Sequence, residues 1–317
     1  MTEIVVRQAT LADAHAITDI YCSTIEGGVF TRRNPDGTRT PVAYEALSIF
    51  ERYLHGGAWM SVETCAVWLA HLLRYGDEMP LVVQSDGIVL GEAEVAIGNE
   101  PSPYNRHLQI TSLRIHADAD FEVLAIALLD YVKQMAQVMK YQQVLVSAPD
   151  APEFYRQQGF TPLITRRTAI MPAKEGRVFY KATEMTDFNP ERINGWSMPL
   201  GRYQNARHEW EHIWPGFWNS VPELVEPEVA RFDVTLTGQQ GILMLQQDRF
   251  NGGLAHVSLW SERALTGHLV SSVRDRAARL GYQELMILAD DTAIGLVEPE
   301  ASDVRDSQIV FAWRVNI

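Results

Sequence analysis

The sequence predicts an α/β protein built on mixed sheets, and three observations carry that expectation. Between His107 and Phe160 an apolar strand, a helix with one apolar face and a second apolar strand follow one another. Asp86-Gly87 separates two alternating runs, the pattern of a tight hairpin turn. The order strand, loop, helix, strand then returns between Leu254 and Leu288, so the chain reads as two similar halves.

In the central segment Ile110, Leu113 and Ile115 supply the apolar positions of the first strand. Phe121, Leu124, Leu128, Val132, Met135 and Met139 recur at three- and four-residue steps, which puts them on one face of a helix. Val144, Leu145 and Val146 form a continuous apolar run, as in a strand covered on both faces. Upstream, Glu3 to Ala9 alternates into a strand and Thr10 is a helix cap before Ala14, Ile17, Ile20 and Tyr21. Residues 26–40 read as loop, residues 42–54 and 62–73 as helices, with Ser61 as the second cap. Residues 79–85 and 88–97 are the hairpin arms, and Glu92 and Glu94 alternate with apolar residues on the second arm. In the other half, residues 241–246 and 254–260 flank an Asn251-Gly252-Gly253 turn, and the helix carries Leu265, Leu269, Val273, Ala277 and Leu280.

Composition narrows the function. The 317 residues suffice for two cores, and a formal net charge of −13 disfavours nucleic acid and anionic membranes as partners. Cys22 and Cys65 fall in apolar helical patterns and read as reduced, buried thiols. The opening residues are charged and strand-like, and no apolar run is long enough to span a bilayer, so the expectation is a soluble cytoplasmic protein.

Three motifs, taken in order, resemble the Gcn5-related N-acetyltransferase (GNAT) superfamily: the opening IVVRQATLADAHAITDIY, the LRIHADAD turn, and APEFYRQQGF with a Tyr before Gly-Phe. The worn second half resembles a tandem GNAT arrangement of the kind seen in mycothiol-synthase-like proteins, with a cut expected between residues 180 and 181. The resemblance implies two GNAT-like domains, 1–180 and 181–317. It implies acetyl-CoA as co-substrate, an amine of a small molecule or peptide as acceptor, and no metal. It implies that Glu92 or Glu94 is the base and Tyr155 the acid, since each proton-transfer group must reach its proton directly or through one water. Backbone near Leu113, Arg114 and Ile115 would hold the pantetheine, and the helix start at Leu124 and Ala125 the pyrophosphate. In the second half Arg263 and Gly267 would play the corresponding part.

Each of these residues also has a plain structural reading. Asp120, Phe121 and Val123 stand where the family's phosphate loop has Arg-like and glycine positions, and with Asp118 and Glu122 they suit a helix cap and first turn. That degenerate loop keeps open a second reading, a catalytically silent GNAT scaffold that binds a ligand or partner. Glu92 and Glu94 also suit a solvent-facing sheet side, Phe154 and Tyr155 a packed short helix, and Ser261 a helix cap. His208-Glu209-Trp210-Glu211-His212 spells HExxH, but Pro215 would end the helix within a turn, and the neighbouring aromatic residues suit core packing.

Overall fold

The computed structural model describes residues 3–34, 37–75, 77–211, 216–224 and 227–315. Packing divides the chain into two compact units. The first comprises Met1–Ala96, Ile110–Lys140 and Gly216–Glu226; the second comprises Ile97–Gln109, Tyr141–Pro215 and Pro227–Ile317. The cut expected between residues 180 and 181 divides the chain by duplicated pattern, whereas these units gather residues by packing.

The first unit begins with β1 (Ile4–Gln8) and α1 (Ala14–Ser23). Residues expected as loop form a small antiparallel pair, β2 (Phe30–Arg33) and β3 (Arg39–Val42). The helix expected over residues 42–54 is shorter. It is α2 (Ile49–Tyr53), started by a capping box in which Ser48 accepts from the Glu51 N–H. α3 (Val62–Tyr75) follows, with Ser61 accepting from the Thr64 N–H as expected of its cap. β4 (Glu78–Ser85) and β5 (Ile88–Asn99) form the hairpin. Its turn residues Asp86 and Gly87 have φ of 48° and 82°, the left-handed pair that makes Asp-Gly fit. β6 (Arg106–Ile115) and α4 (Phe121–Val138) complete the set, and the outer ends of β5 and β6 belong to the second unit. Within the first unit the strand order is β1-β4-β5-β6, with β1 antiparallel to β4 and β4 to β5.

The core of this unit gathers Ile17 and Tyr21 from α1, Trp59, Cys65, Trp68 and Leu69 from α3 and the turn before it, and Val82 from β4. α4 packs against β1 and β4 through Leu124, Ala125, Leu128, Leu129, Val132 and Ala136. That stripe shares Leu124, Leu128 and Val132 with the sequence pattern and adds Ala125, Leu129 and Ala136. Phe121 in the first turn and Met139 at the C-cap are exposed, so the two ends of the apolar pattern lie outside the buried face.

The second unit holds β7 (Gln143–Ser147), α5 (Pro152–Gln157), β8 (Thr161–Pro172), β9 (Lys181–Glu184), β10 (Ser197–Leu200) and α6 (Ala206–Glu211). It continues with β11 (Val229–Leu236), β12 (Gln239–Gln247), β13 (Leu254–Ser261), α7 (Gly267–Arg279), β14 (Glu284–Asp290), α8 (Asp291–Val297) and β15 (Asp303–Arg314). Its strand order is β7-β15-β8-β14-β10-β13-β12-β11-β9. β13 and β14 run parallel, joined by the crossover helix α7, as the repeated pattern predicts. They pair only at Leu254–His256 with Glu284–Met286; farther along, β10 lies between them and bonds to both. Its last residue leads into Gly201, at φ 82°, where a Cβ would strike the Val257 carbonyl and the Ser258 backbone. Only glycine lets β10 sit this close to β13. Among the described residues, no helix is long and apolar enough to cross a membrane.

Candidate active site

Both arms of the question raised by Glu92 and Glu94 are answered by burial. Neither faces solvent: Glu92 is 0% exposed and Glu94 4%. Period-two alternation places the two on one face of β5, and that face turns toward α1 and α3. The Tyr21 hydroxyl donates to Glu92 Oε2 at 2.8 Å and also pairs with Ser112 Oγ on β6. Trp68 Nε1 donates to Glu94 Oε1 at 3.1 Å, and Thr111 Oγ1 donates to the Glu94 carbonyl at 3.2 Å. Trp59 stacks on Tyr21 with ring centroids 5.7 Å apart, which fixes the phenol. Glu92 Oε1 is buried and accepts no hydrogen bond from the described residues.

Electrostatics follow from this packing. Burial, with Glu94 beside it, pushes the Glu92 carboxyl well above the usual carboxylate range, against smaller opposing effects of Tyr21 and Arg114. The Tyr21 phenol is likewise raised by burial and by the neighbouring Glu92. Cys65, buried and near Glu92, is pushed up to about 12. A carboxyl raised in this way is a stronger base than an exposed one, closer to what removing a proton from an ammonium requires.

The candidate cofactor residues are placed as follows. Leu113 and Arg114 are half-buried and Ile115 is buried on β6, while Leu124 and Ala125 pack into the core beneath α4. Asp120 caps α4: its carboxylate accepts from the Val123 N–H at 3.1 Å. The donor that a helix terminus would offer a phosphate is thus held by the chain's own anion, with Glu122 following in the first turn. As it stands, this terminus does not suit a pyrophosphate.

Tyr155 lies in the second unit, on α5, buried and packed edge-on against Phe154 and Phe160 at centroid distances of 5.3 and 5.4 Å. In the repeated half the cap expected at Ser261 is moved. Ser261 ends β13, its hydroxyl accepting from Gln239 Nε2 at 3.0 Å, and Thr266 caps α7 by accepting from the Leu269 N–H at 3.2 Å. Arg263 is largely exposed beside Glu262, and Gly267 opens α7 with free space around it. No acid stands in the first turn of α7. The strands behind it, however, are spanned by β10.

In the HExxH stretch, the Glu209 carboxylate accepts the N–H groups of Tyr203 and Gln204 at 3.0 and 2.8 Å, and Trp210 is fully buried against Trp260. Glu209 is thus engaged in holding backbone; His212 lies outside the described residues.

Tyr21, Trp68 and Ser112 are absent from the sequence-derived set. Tyr21 is legible only as part of an apolar helix face, and Ser112 as a small residue within an alternating strand. What joins them to Glu92 is the approach of α1 to the hairpin, which no local pattern encodes.

No protein-family model and no curated protein matches the chain. Solved structures do. A GCN5-related N-acetyltransferase from Anabaena variabilis aligns with TM-score 0.62 and 12% identity, over 99% of this chain and 73% of its own. One from Kribbella flavida aligns with TM-score 0.57 and 10% identity, over 98% and 71%. A tandem GNAT protein from the clavulanic acid biosynthesis pathway aligns over 99% of both chains, with TM-score 0.51 and 11% identity. These end-to-end alignments lead to one identification: the chain has the GNAT fold in its tandem form.

Proposed function

We propose that the protein is an N-acetyltransferase acting on an amine of a small molecule or peptide, with Glu92 as the base. The observation that supports this reading is the Glu92 carboxyl buried beside the Tyr21 hydroxyl, with Oε1 accepting no hydrogen bond from the described residues. Acetyl-CoA, when bound, supplies the acetyl group. Glu92 removes the ammonium proton so that the nitrogen lone pair becomes nucleophilic. Tyr155 is the acid that the family resemblance implies for the departing thiolate. The first half is the favoured seat of the chemistry, because β10 takes up the backbone between β13 and β14 in the second.

A second reading, a silent scaffold, is favoured by the Asp120 cap, which fills the anion position of α4. Calorimetric titration with acetyl-CoA and CoA separates the two. The enzyme reading expects micromolar binding by the native chain, tighter binding by Asp120→Gly, and no change in Arg263→Ala. Absence of heat and of thermal shift at millimolar ligand in both native chain and Asp120→Gly leaves the scaffold.

A further inference from the structure

Glu92 is the base in the reading above, yet none of its surface reaches solvent. A base must exchange protons with something, and the described hydrogen bonds offer a chain of hydroxyls that leads outward. When Glu92 is ionised the Tyr21 proton is committed to Glu92 Oε2, and in the short contact between Tyr21 and Ser112 the Ser112 hydroxyl then donates to the phenol oxygen. Ser112 is half-buried on β6, whereas Tyr21 is buried, so the three groups pass from partial exposure to complete burial in two hydrogen bonds. Trp59 stacked on the Tyr21 ring keeps the middle member from swinging away.

We propose that Ser112 and Tyr21 form a two-hydroxyl proton path to Glu92, with Ser112 as the group that meets the acceptor amine. This path rests on the acetyltransferase reading for the substrate that uses it. The step balances as a concerted shift of three protons. An ammonium N–H proton passes to Ser112 Oγ, the Ser112 proton to Tyr21 Oη, and the Tyr21 proton to Glu92 Oε2. The ammonium becomes a neutral amine, Glu92 becomes a neutral carboxyl, and both hydroxyls are restored. Ser112 Oγ has no second role in the described hydrogen bonds. The groups that bear electrostatically on Glu92 are Tyr21 from α1, Cys65 from α3, Glu94 from β5 itself and Arg114 from β6. Of these, only Tyr21 carries a proton to Glu92 in the described hydrogen bonds.

Time-resolved infrared spectroscopy of the full chain after a pH jump tests the path without needing acetyl transfer. Glu92→Gln identifies the Glu92 carboxyl band. In Tyr21→Phe, which keeps the ring on Trp59, and in Ser112→Ala, the band is expected to follow the jump about 10²-fold more slowly, the low end of what a positioned proton-transfer group contributes. Ser112→Thr, which keeps the hydroxyl, is expected to restore the native rate. Native rates in both Tyr21→Phe and Ser112→Ala overturn the path, as does slowing in Tyr21→Phe alone, which removes Ser112 as its mouth. Thermal unfolding within a few degrees of the native chain confirms that each variant is folded; should Tyr21→Phe not fold, Ser112→Ala against Ser112→Thr decides. A chain that binds no acetyl-CoA but shows the slowing keeps the path and loses the transferase reading; binding without slowing gives the reverse.

Discussion

Two glutamates a few residues apart, Glu92 on β5 and Glu100 just beyond its end, are both buried and titrate in opposite directions. Burial alone would raise each. Around Glu100 the Arg202 guanidinium reverses that effect. It binds both carboxylate oxygens, one at 2.6 Å, and lies 3.6 Å over the Tyr104 ring, so Glu100 is held below the usual range. His107 beside it is pushed down to about 4 by burial and stays neutral, despite the opposing pull of Glu100. Glu92 has no such bidentate partner among the described hydrogen bonds; Arg114 on β6 offsets its burial only in part, and Glu94 on its own strand adds to it. The first arrangement is a finished ion pair that orders a loop. The second is a carboxyl whose burial is only weakly offset by Arg114, so its neutral form is favoured.

Breaking the finished pair should give the largest effect. Arg202→Ala leaves Glu100 buried without a cation and is expected to cost about 3–5 kcal/mol in urea unfolding, with the loop after β5 the first region to lose hydrogen-exchange protection. The unfinished site should respond the other way. Because the folded state holds the Glu92 proton above its unfolded pKa, the unfolded chain binds fewer protons as pH rises past about 4.5, and stability falls, by up to about 1.4 kcal/mol per pH unit, until Glu92 ionises in the folded state. Glu92→Gln is therefore expected to raise Tm at neutral and alkaline pH and to flatten that slope, while removing acyl transfer. An unchanged slope would mean that Glu92 is not the group responsible. The smallest effect sits on α4. Asp120→Ala should cost about 1 kcal/mol of stability through the lost cap, and Asp120→Gly only a few tenths. The glycine variant thus tests cofactor binding almost free of a folding defect.

The reach of local pattern explains what the sequence disclosed. The hairpin at Asp86-Gly87, the α4 cap at Asp120 and the β13–α7–β14 crossover are written in residues that touch their chain neighbours, and each stands where the pattern placed it. Glu92 and Glu94 were identifiable as a pair on one face, but period-two alternation cannot tell a buried face from a wet one. That depended on α1 and α3 covering β5. The same limit hid Tyr21, Ser112 and Arg202, whose roles arise from partners roughly 70 to 100 residues away. The shifted cap at Thr266 and the small β2–β3 pair were lost for a different reason: short polar segments offer several equivalent turn and cap choices, and packing selects among them.

The place of β15 has a consequence for how the protein is made. This strand lies between β7 and β8, antiparallel to both, yet it leaves the ribosome roughly 130 residues after β8. At ordinary elongation rates β7 and β8 wait on the order of ten seconds for the strand that joins them. Through that interval Val144, Leu145 and Val146, all buried in the finished sheet, stand beside an unpaired edge. Synthesis therefore passes through a nascent chain whose first half can settle early while this sheet stays open, and the interval, more than the final stability, sets its exposure to aggregation and its demand for chaperones.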